Sequence, residues 1–329
     1  MSEADAPLRR VLEPLRPEME RVEEALRREL EHENPFLDDL LGHSRKLQGK
    51  RLRPLLLLYC ARILGGVLDL HVALGAVVEL LHSATLVHDD VLDEAERRRG
   101  EKALHRVWGN EASILLGDYL FAKAYSLCAR LHLREANLIL ARTVEEMCVG
   151  ELSQIATKFD FAIDEEQYLR VIGQKTASLF GAACRLGAVG HAADPEAVEA
   201  LARYGTCLGT AFQIVDDCLD LEGDERVAGK SLGTDLAKGK LTLPVIQLLR
   251  QSPPEERRRL EEMLAGTDGV EERRSLVLRL VRERGFLRRS FEQAEEWIRR
   301  GKVSLGRVRD SLYVDNLRVL ADYVLHRRA

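Results

Sequence analysis

Long hydrophobic runs are missing from this 329-residue sequence. Stretches such as Val72 to Val78 fall far short of the roughly 20 residues a membrane-spanning helix needs. The opening MSEADAPLRR has no apolar core, so no secretory signal is expected. Aromatics make up only 5% and prolines number 9, a composition that disfavours a β-sandwich. Six cysteines (Cys60, Cys128, Cys148, Cys184, Cys207 and Cys218) show no CxxC and no short repeating spacing. Neither a zinc site nor a disulfide framework follows from that pattern, and a reducing cytoplasm is the expected compartment. Neither sign of charge dominates: 49 Lys and Arg against 54 Asp and Glu leave a net charge of −5. That balance argues against nucleic acid as a partner of the whole surface. A linker rich in Gly, Ser or Pro is also absent. The length prior of about two domains therefore gives way to one domain over residues 1–329.

What remains is rich in Leu, Ala, Glu and Arg, and 46% hydrophobic, enough for a sizeable helical core. Apolar residues recur every three to four positions from Leu8 to about Leu30, as in an amphipathic helix. A segment opened by Pro54 runs to the Gly65-Gly66 stop, and Asp69 to Glu94 is apolar nearly all round until its acidic end. A helix of the latter kind belongs inside a fold. Further helices are expected over about 110–131, 134–158, 165–191, 195–223, 240–251, 254–265, 270–300 and 303–326. A long polar loop is expected over Gly223–Gly239. The fold class is all-α, a single large bundle around a central cavity.

Two segments share the pattern DDxLD: Asp89-Asp90-Val91-Leu92-Asp93 and Asp216-Asp217-Cys218-Leu219-Asp220. Residues four apart share a helix face, so Asp89 points with Asp93 and Asp216 with Asp220. Like charges at that spacing repel and call for a cation. Oxygen-only ligands favour Mg²⁺ over zinc, and Mg²⁺ is commonly completed by substrate phosphates. One such cluster reads equally well as a solvated helix end. Two, each behind an apolar run, read as walls that hold a diphosphate through bridging metals.

Cations accompany them. Gly49-Lys50-Arg51-Leu52-Arg53-Pro54 places charge in a loop before a helix, and Arg97-Arg98-Arg99-Gly100 follows the first cluster by about one turn. Helix starts and guanidinium forks both suit phosphate oxygens. His82 lies about two turns before Asp89, where a core histidine is the commoner explanation but donation to phosphate also fits. Lys175-Thr176 and Lys240 offer further cations, as weak signals when taken alone.

In motif order the chain resembles the trans-isoprenyl (polyprenyl) diphosphate synthases, and among them the medium- to long-chain, octaprenyl-type members. The carrying segments are GKRLRP at 49–54, HSATLVHDDVLDEAERRRG at 82–100, GDYLFAKA at 117–124, QKTASLF at 174–180, GTAFQIVDDCLD at 209–220 and GKSLGTDLAKGKLTLP at 229–244. The resemblance implies an isoprenoid-synthase bundle and a head-to-tail prenyltransferase. It implies that Lys50, Arg53, His82 and Arg99 hold the diphosphate of isopentenyl diphosphate. Asp89, Asp93 and Asp216, supported by Asp90, Asp217 and Asp220, would bind Mg²⁺ (three ions) on the allylic diphosphate. Arg98, Lys175, Thr176, Gln213, Lys230 and Lys240 would contact that diphosphate, with Lys230 in a closing loop. Lys175, Lys240, Asp89 and Asp216 would assist ionisation to an allylic cation, and the released diphosphate would take the final proton. The family also implies a homodimer, for which the apolar helices near 110–131 offer a face.

Product length is the finer expectation. Thr85 and Ala84, four and five residues before Asp89, are small, and Leu81 and Val78 one and two turns deeper are not aromatic. Short-chain relatives carry a bulky aromatic in that region, so a deep pocket and products of geranylgeranyl length or longer are expected, unless a residue such as Phe121 caps it earlier. A farnesyl- or geranylgeranyl-forming enzyme is the alternative. A terpene cyclase would not need GKRLRP, a squalene-synthase-like enzyme lacks that loop, and a metal phosphohydrolase built on His88-Asp89 leaves the second DDxLD unexplained. A non-catalytic homologue conflicts with intact acidic and basic motifs.

Overall fold

A computed structural model describes residues 6–46, 49–222, 234–266 and 269–326. Its helices are α1 (Ala6–Leu12), α2 (Arg16–Glu29), α3 (Pro35–Lys46), α4 (Leu52–Leu64), α5 (Asp69–Leu92), α6 (His105–Arg130), α7 (Arg134–Ala156), α8 (Glu165–Ile172), α9 (Ser178–Leu186) and α10 (Pro195–Glu222). They continue with α11 (Thr234–Ala237), α12 (Leu243–Gln251), α13 (Pro254–Ala265), α14 (Val270–Glu283), α15 (Phe286–Ser304) and α16 (Leu312–His326). Two expected helices are broken, each for a local reason. Pro14 and Pro17, which lack an N–H to donate, split the first into α1, a 3-10 turn and α2. Gly285, in the left-handed region at φ +74°, separates α14 from α15.

The central element is α5. From Val72 to Leu81 all but one residue is buried. This is the all-round apolar stretch of the sequence, enclosed by α2, α4, α6 and α9. By length and composition α5 could span a bilayer, but 67% of its most apolar window is buried inside the protein. Its buried apolar side chains join one hydrophobic cluster that runs from Leu8 in α1 to Val324 in α16. Both chain ends therefore contribute to the same core.

Sequence patterns gave no hint of sheet, yet two short strands, β1 (Arg97–Arg98) and β2 (Glu101–Lys102), pair antiparallel. Arg99 and Gly100 between them have φ of +53° and +83°, the two positive values of a type I′ hairpin turn. A second irregularity joins α8 to α9: Gly173–Ala177 form one π-helical turn. Single π turns inside α-helices frequently mark functional sites. Here the turn carries Lys175 and Thr176.

Candidate active site

The last two turns of α5 and of α10 carry the DDxLD segments, and both open onto one cavity of about 1850 Å³. Every described charged or polar residue singled out above lines it: Lys50, Arg53, His82, Asp89, Asp90, Asp93, Arg98, Arg99, Lys175, Thr176, Gln213, Asp216, Asp217, Asp220 and Lys240. Lys230 lies outside the described residues.

The three carboxylates of α5 meet three different cations. Asp89 stands 3.7 Å from Lys175 Nζ, which also pairs with Glu151 and donates to Gln154 at 3.0 Å. Burial raises the Asp89 carboxyl above its usual range, helped by Glu151 and Asp93 and opposed by Lys175. Asp93 accepts from Lys240 Nζ at 2.6 and 2.8 Å. Burial alone would raise its pKa, but the Lys240 ammonium outweighs that and the net shift is downward. Asp90 is 1% exposed and accepts from Arg98 Nε at 2.7 Å and Nη2 at 2.6 Å. Arg98 thus lines the cavity while paired to a buried carboxylate, and Asp90 ties the acidic helix to the β1–β2 hairpin.

On α10 the middle carboxylate is held by neutral donors. Asp217 accepts from Tyr168 Oη at 2.6 Å and from Gln213 Nε2 at 2.7 Å. The Gln213 carbonyl in turn accepts from Thr176 Oγ1 at 2.8 Å. Burial first, then the nearby Asp235 and Asp216 charges, pushes the Asp217 carboxyl up. Asp220 is 3% exposed and faces the Asp235 backbone N–H at 3.5 Å. Among the described residues, no three carboxylate, imidazole or thiolate groups are drawn into one ligand set. The donors lining the acidic wall are carboxylate oxygens, which fit a hard divalent cation completed by ligand oxygens rather than zinc.

Opposite lies the basic wall. Arg53 packs its guanidinium over the Phe180 ring at 4.4 Å, and burial with the neighbouring Arg99 lowers its pKa to about 10, still charged at neutral pH. Burial and the surrounding Arg53, Arg99 and Arg98 push His82 far below the usual histidine range. It is therefore a neutral imidazole with one N–H to offer. Lys50 lies at the rim, 5.5 Å from the Tyr323 ring. Arg51 is different: it sits buried between Glu79 at 2.5 Å and Glu23 at 2.6 Å and serves the fold.

The apolar wall departs from expectation. Of Thr85, Ala84, Leu81 and Val78, only Thr85 lines the cavity. Ala84, Leu81 and Val78 are 0% exposed, sealed in the core around α5. At about 100° per residue Ala84 also lies well round the helix from Asp89. The wall is instead built by Leu86, Phe121, Val144, Met147 and Cys148, with Phe121 set across from α5 and 5.8 Å from the His88 ring.

Sequence reasoning missed Glu151, Gln154 and Tyr168. Glu151 and Gln154 continue the Val144, Met147, Cys148 stripe of α7 at helical spacing, a pattern that was available in the sequence. Gly150 beside them permits a close approach, since a Cβ there would lie 2.5 Å from the Lys175 backbone nitrogen. Tyr168 carried no signal, because the π turn shifts the register between it and Lys175.

Comparison with known proteins gives the family. Residues 34–280 match the family described as polyprenyl synthetase. The nonaprenyl diphosphate synthase of Mycobacterium tuberculosis is 38% identical over 93% of this chain and 91% of that protein. A short chain isoprenyl diphosphate synthase of Methanothermobacter thermautotrophicus is 33% identical over 96% and 98%. The crystal structure of a polyprenyl synthase from Caulobacter crescentus, complexed with calcium and isoprenyl diphosphate, superposes with a TM-score of 0.93 at 34% identity, covering 97% of this chain and 98% of that one. A hairpin-bearing helical bundle whose two acidic helix ends face a basic pocket across one cavity thus belongs to the polyprenyl synthetase family, and the chain is a trans-prenyl diphosphate synthase, a prenyltransferase.

Proposed function

We propose that the enzyme condenses isopentenyl diphosphate head-to-tail with an allylic diphosphate, giving a trans product of geranylgeranyl length or longer, of octaprenyl type. The observation that carries this reading is the meeting of both acidic helix ends and the basic wall in one cavity. Lys50, Arg53, His82 and Arg99 hold the diphosphate of isopentenyl diphosphate, with the neutral His82 donating one hydrogen bond among guanidinium charges. Asp89, Asp93 and Asp216 hold Mg²⁺ against the allylic diphosphate, while Asp90 and Asp217 fix the two helix ends in place.

When bound, Mg²⁺ supplies positive charge at the leaving diphosphate. Lys175 and Lys240 add their own charge there, each aimed by its carboxylate partners. Thr176 and Gln213 orient the same group. Leu86 and Phe212 line the space beside it and exclude water from the allylic carbon. Isopentenyl diphosphate, held on the basic side, presents its double bond to that carbon; the C–O bond to diphosphate breaks, the new C–C bond forms, and the released diphosphate takes the proton then lost.

A long product is supported by the small Thr85 on the wall of α5 and by the apolar stripe of α7 that leads away from Glu151. A homodimer is supported by exposed apolar side chains on adjacent helices: Ile114 and Leu115 on α6, Val149, Leu152 and Ile155 on α7. The test is incubation with isopentenyl diphosphate, a geranyl primer and Mg²⁺, followed by chromatography of the dephosphorylated products. Prenyl alcohols of C20 or longer are expected. Products that stop at C15 from a geranyl primer would overturn the length, and no elongation by folded protein would overturn the reading itself.

A further inference from the structure

Tyr168 is 4% exposed, its hydroxyl faces the acidic wall, and the acceptor it meets is Asp217 Oδ2 at 2.6 Å. A buried phenol needs a partner for its O–H, and phenylalanine would fill the same space without that demand. The other oxygen of Asp217 is taken by Gln213, which is itself gripped by Thr176. The chain Tyr168–Asp217–Gln213–Thr176 thus closes a circuit between α8, α10 and the π turn. Its start on α8 is fixed as well. Asp164 accepts from the Gln167 backbone N–H at 2.8 Å while its own N–H donates to the Gln167 side chain at 3.1 Å, a capping box one residue before Tyr168.

We infer that Tyr168 is a positioning residue for prenyl transfer: by holding Asp217 it sets the register between the Lys175–Thr176 turn and the Asp216 end of α10, and so the geometry in which metal and allylic diphosphate are bound together. The inference rests on the metal-dependent allylic site proposed above. Outer partners of this kind typically change metal affinity or activity by about 10- to 100-fold when removed.

The experiment is calorimetric binding of a non-ionising thiolodiphosphate analogue of the allylic substrate, with Mg²⁺, to wild type and Tyr168→Phe. Binding about 10-fold weaker is expected, with isopentenyl diphosphate binding in the absence of metal unchanged, because the basic wall does not touch this circuit. In an Asp217→Asn background, Tyr168→Phe is expected to add little further loss. Equal analogue affinity in wild type and Tyr168→Phe would overturn the role of Tyr168 while leaving the site intact. Weakening of both ligands alike would reduce Tyr168 to a packing residue. Wild type that fails to bind the analogue with Mg²⁺ would instead overturn the proposed function. Should Tyr168→Phe not fold, 3-fluorotyrosine at 168 keeps the shape and alters only donor strength. A shifted analogue affinity there supports the role, and an unshifted one overturns it.

Discussion

The two DDxLD segments are near-copies in sequence, yet their surroundings are unlike. On α5 the middle aspartate is neutralised by Arg98 and the last by Lys240, and the first lies near Lys175. On α10 the middle aspartate is held by a phenol and an amide, and the last faces a backbone N–H. Charged partners compensate the first segment. On the second, neutral donors orient the middle carboxylate. A repeat of pattern is therefore not a repeat of surroundings.

The largest expected effect comes from the first aspartate of each segment. Asp89→Asn and Asp216→Asn should each lower the elongation rate by roughly 10³-fold or more, while binding of isopentenyl diphosphate without metal stays the same. Equal rates in wild type and Asp216→Asn would erase the distinction drawn for α10. Next comes the Asp90–Arg98 pair. Arg98→Met leaves a buried carboxylate uncompensated and should cost about 3 kcal/mol in urea unfolding. The double change Asp90→Leu with Arg98→Met should recover most of that stability, since an apolar pair of similar volume is often neutral. A third, smaller effect is steric: Gly150→Ala should cost about 1–3 kcal/mol and reduce turnover, because its methyl group meets the Lys175 backbone.

The last expected effect is a pH dependence that separates the segments. Asp217 has a folded pKa raised from 3.8 to about 8. The unfolded chain therefore loses its proton first, and stability in the absence of metal falls as pH rises from about 4 through 8. Asp217→Asn should remove that component, raising the thermal midpoint relative to wild type at pH 8 and leaving it nearly equal at pH 4. Asp93, whose pKa is lowered by Lys240, behaves in the opposite sense. Its stabilising contribution is present above the ordinary carboxylate range and lost on acidification below it.

Much of this site was legible in the sequence because helical spacing is a reliable ruler. Asp89 with Asp93 and Asp216 with Asp220 could be placed on faces before any coordinates, and α5 and α10 end close to where their apolar runs give way to acid. What spacing does not carry is rotation at irregularities. The π turn at 173–177 re-aims Lys175, and the hairpin at 97–102 turns Arg98 inward, and neither announces itself in so few residues. The apolar wall was misread for a related reason. Ala84 is close to Asp89 along the chain but faces the core, and Leu81 and Val78 are sealed there too. Val144 and Cys148 reach the cavity from another helix.

The central claim is that both acidic helix ends hold one allylic diphosphate with the help of divalent metal. Calorimetric titration of the allylic diphosphate analogue tests it most directly, in Mg²⁺ and in chelator, for wild type, Asp89→Asn and Asp216→Asn. Tight binding by wild type in Mg²⁺ alone, lost on chelation and in both variants, is the expected result. Binding that is equally tight in chelator, or that survives Asp216→Asn unchanged, would contradict the account.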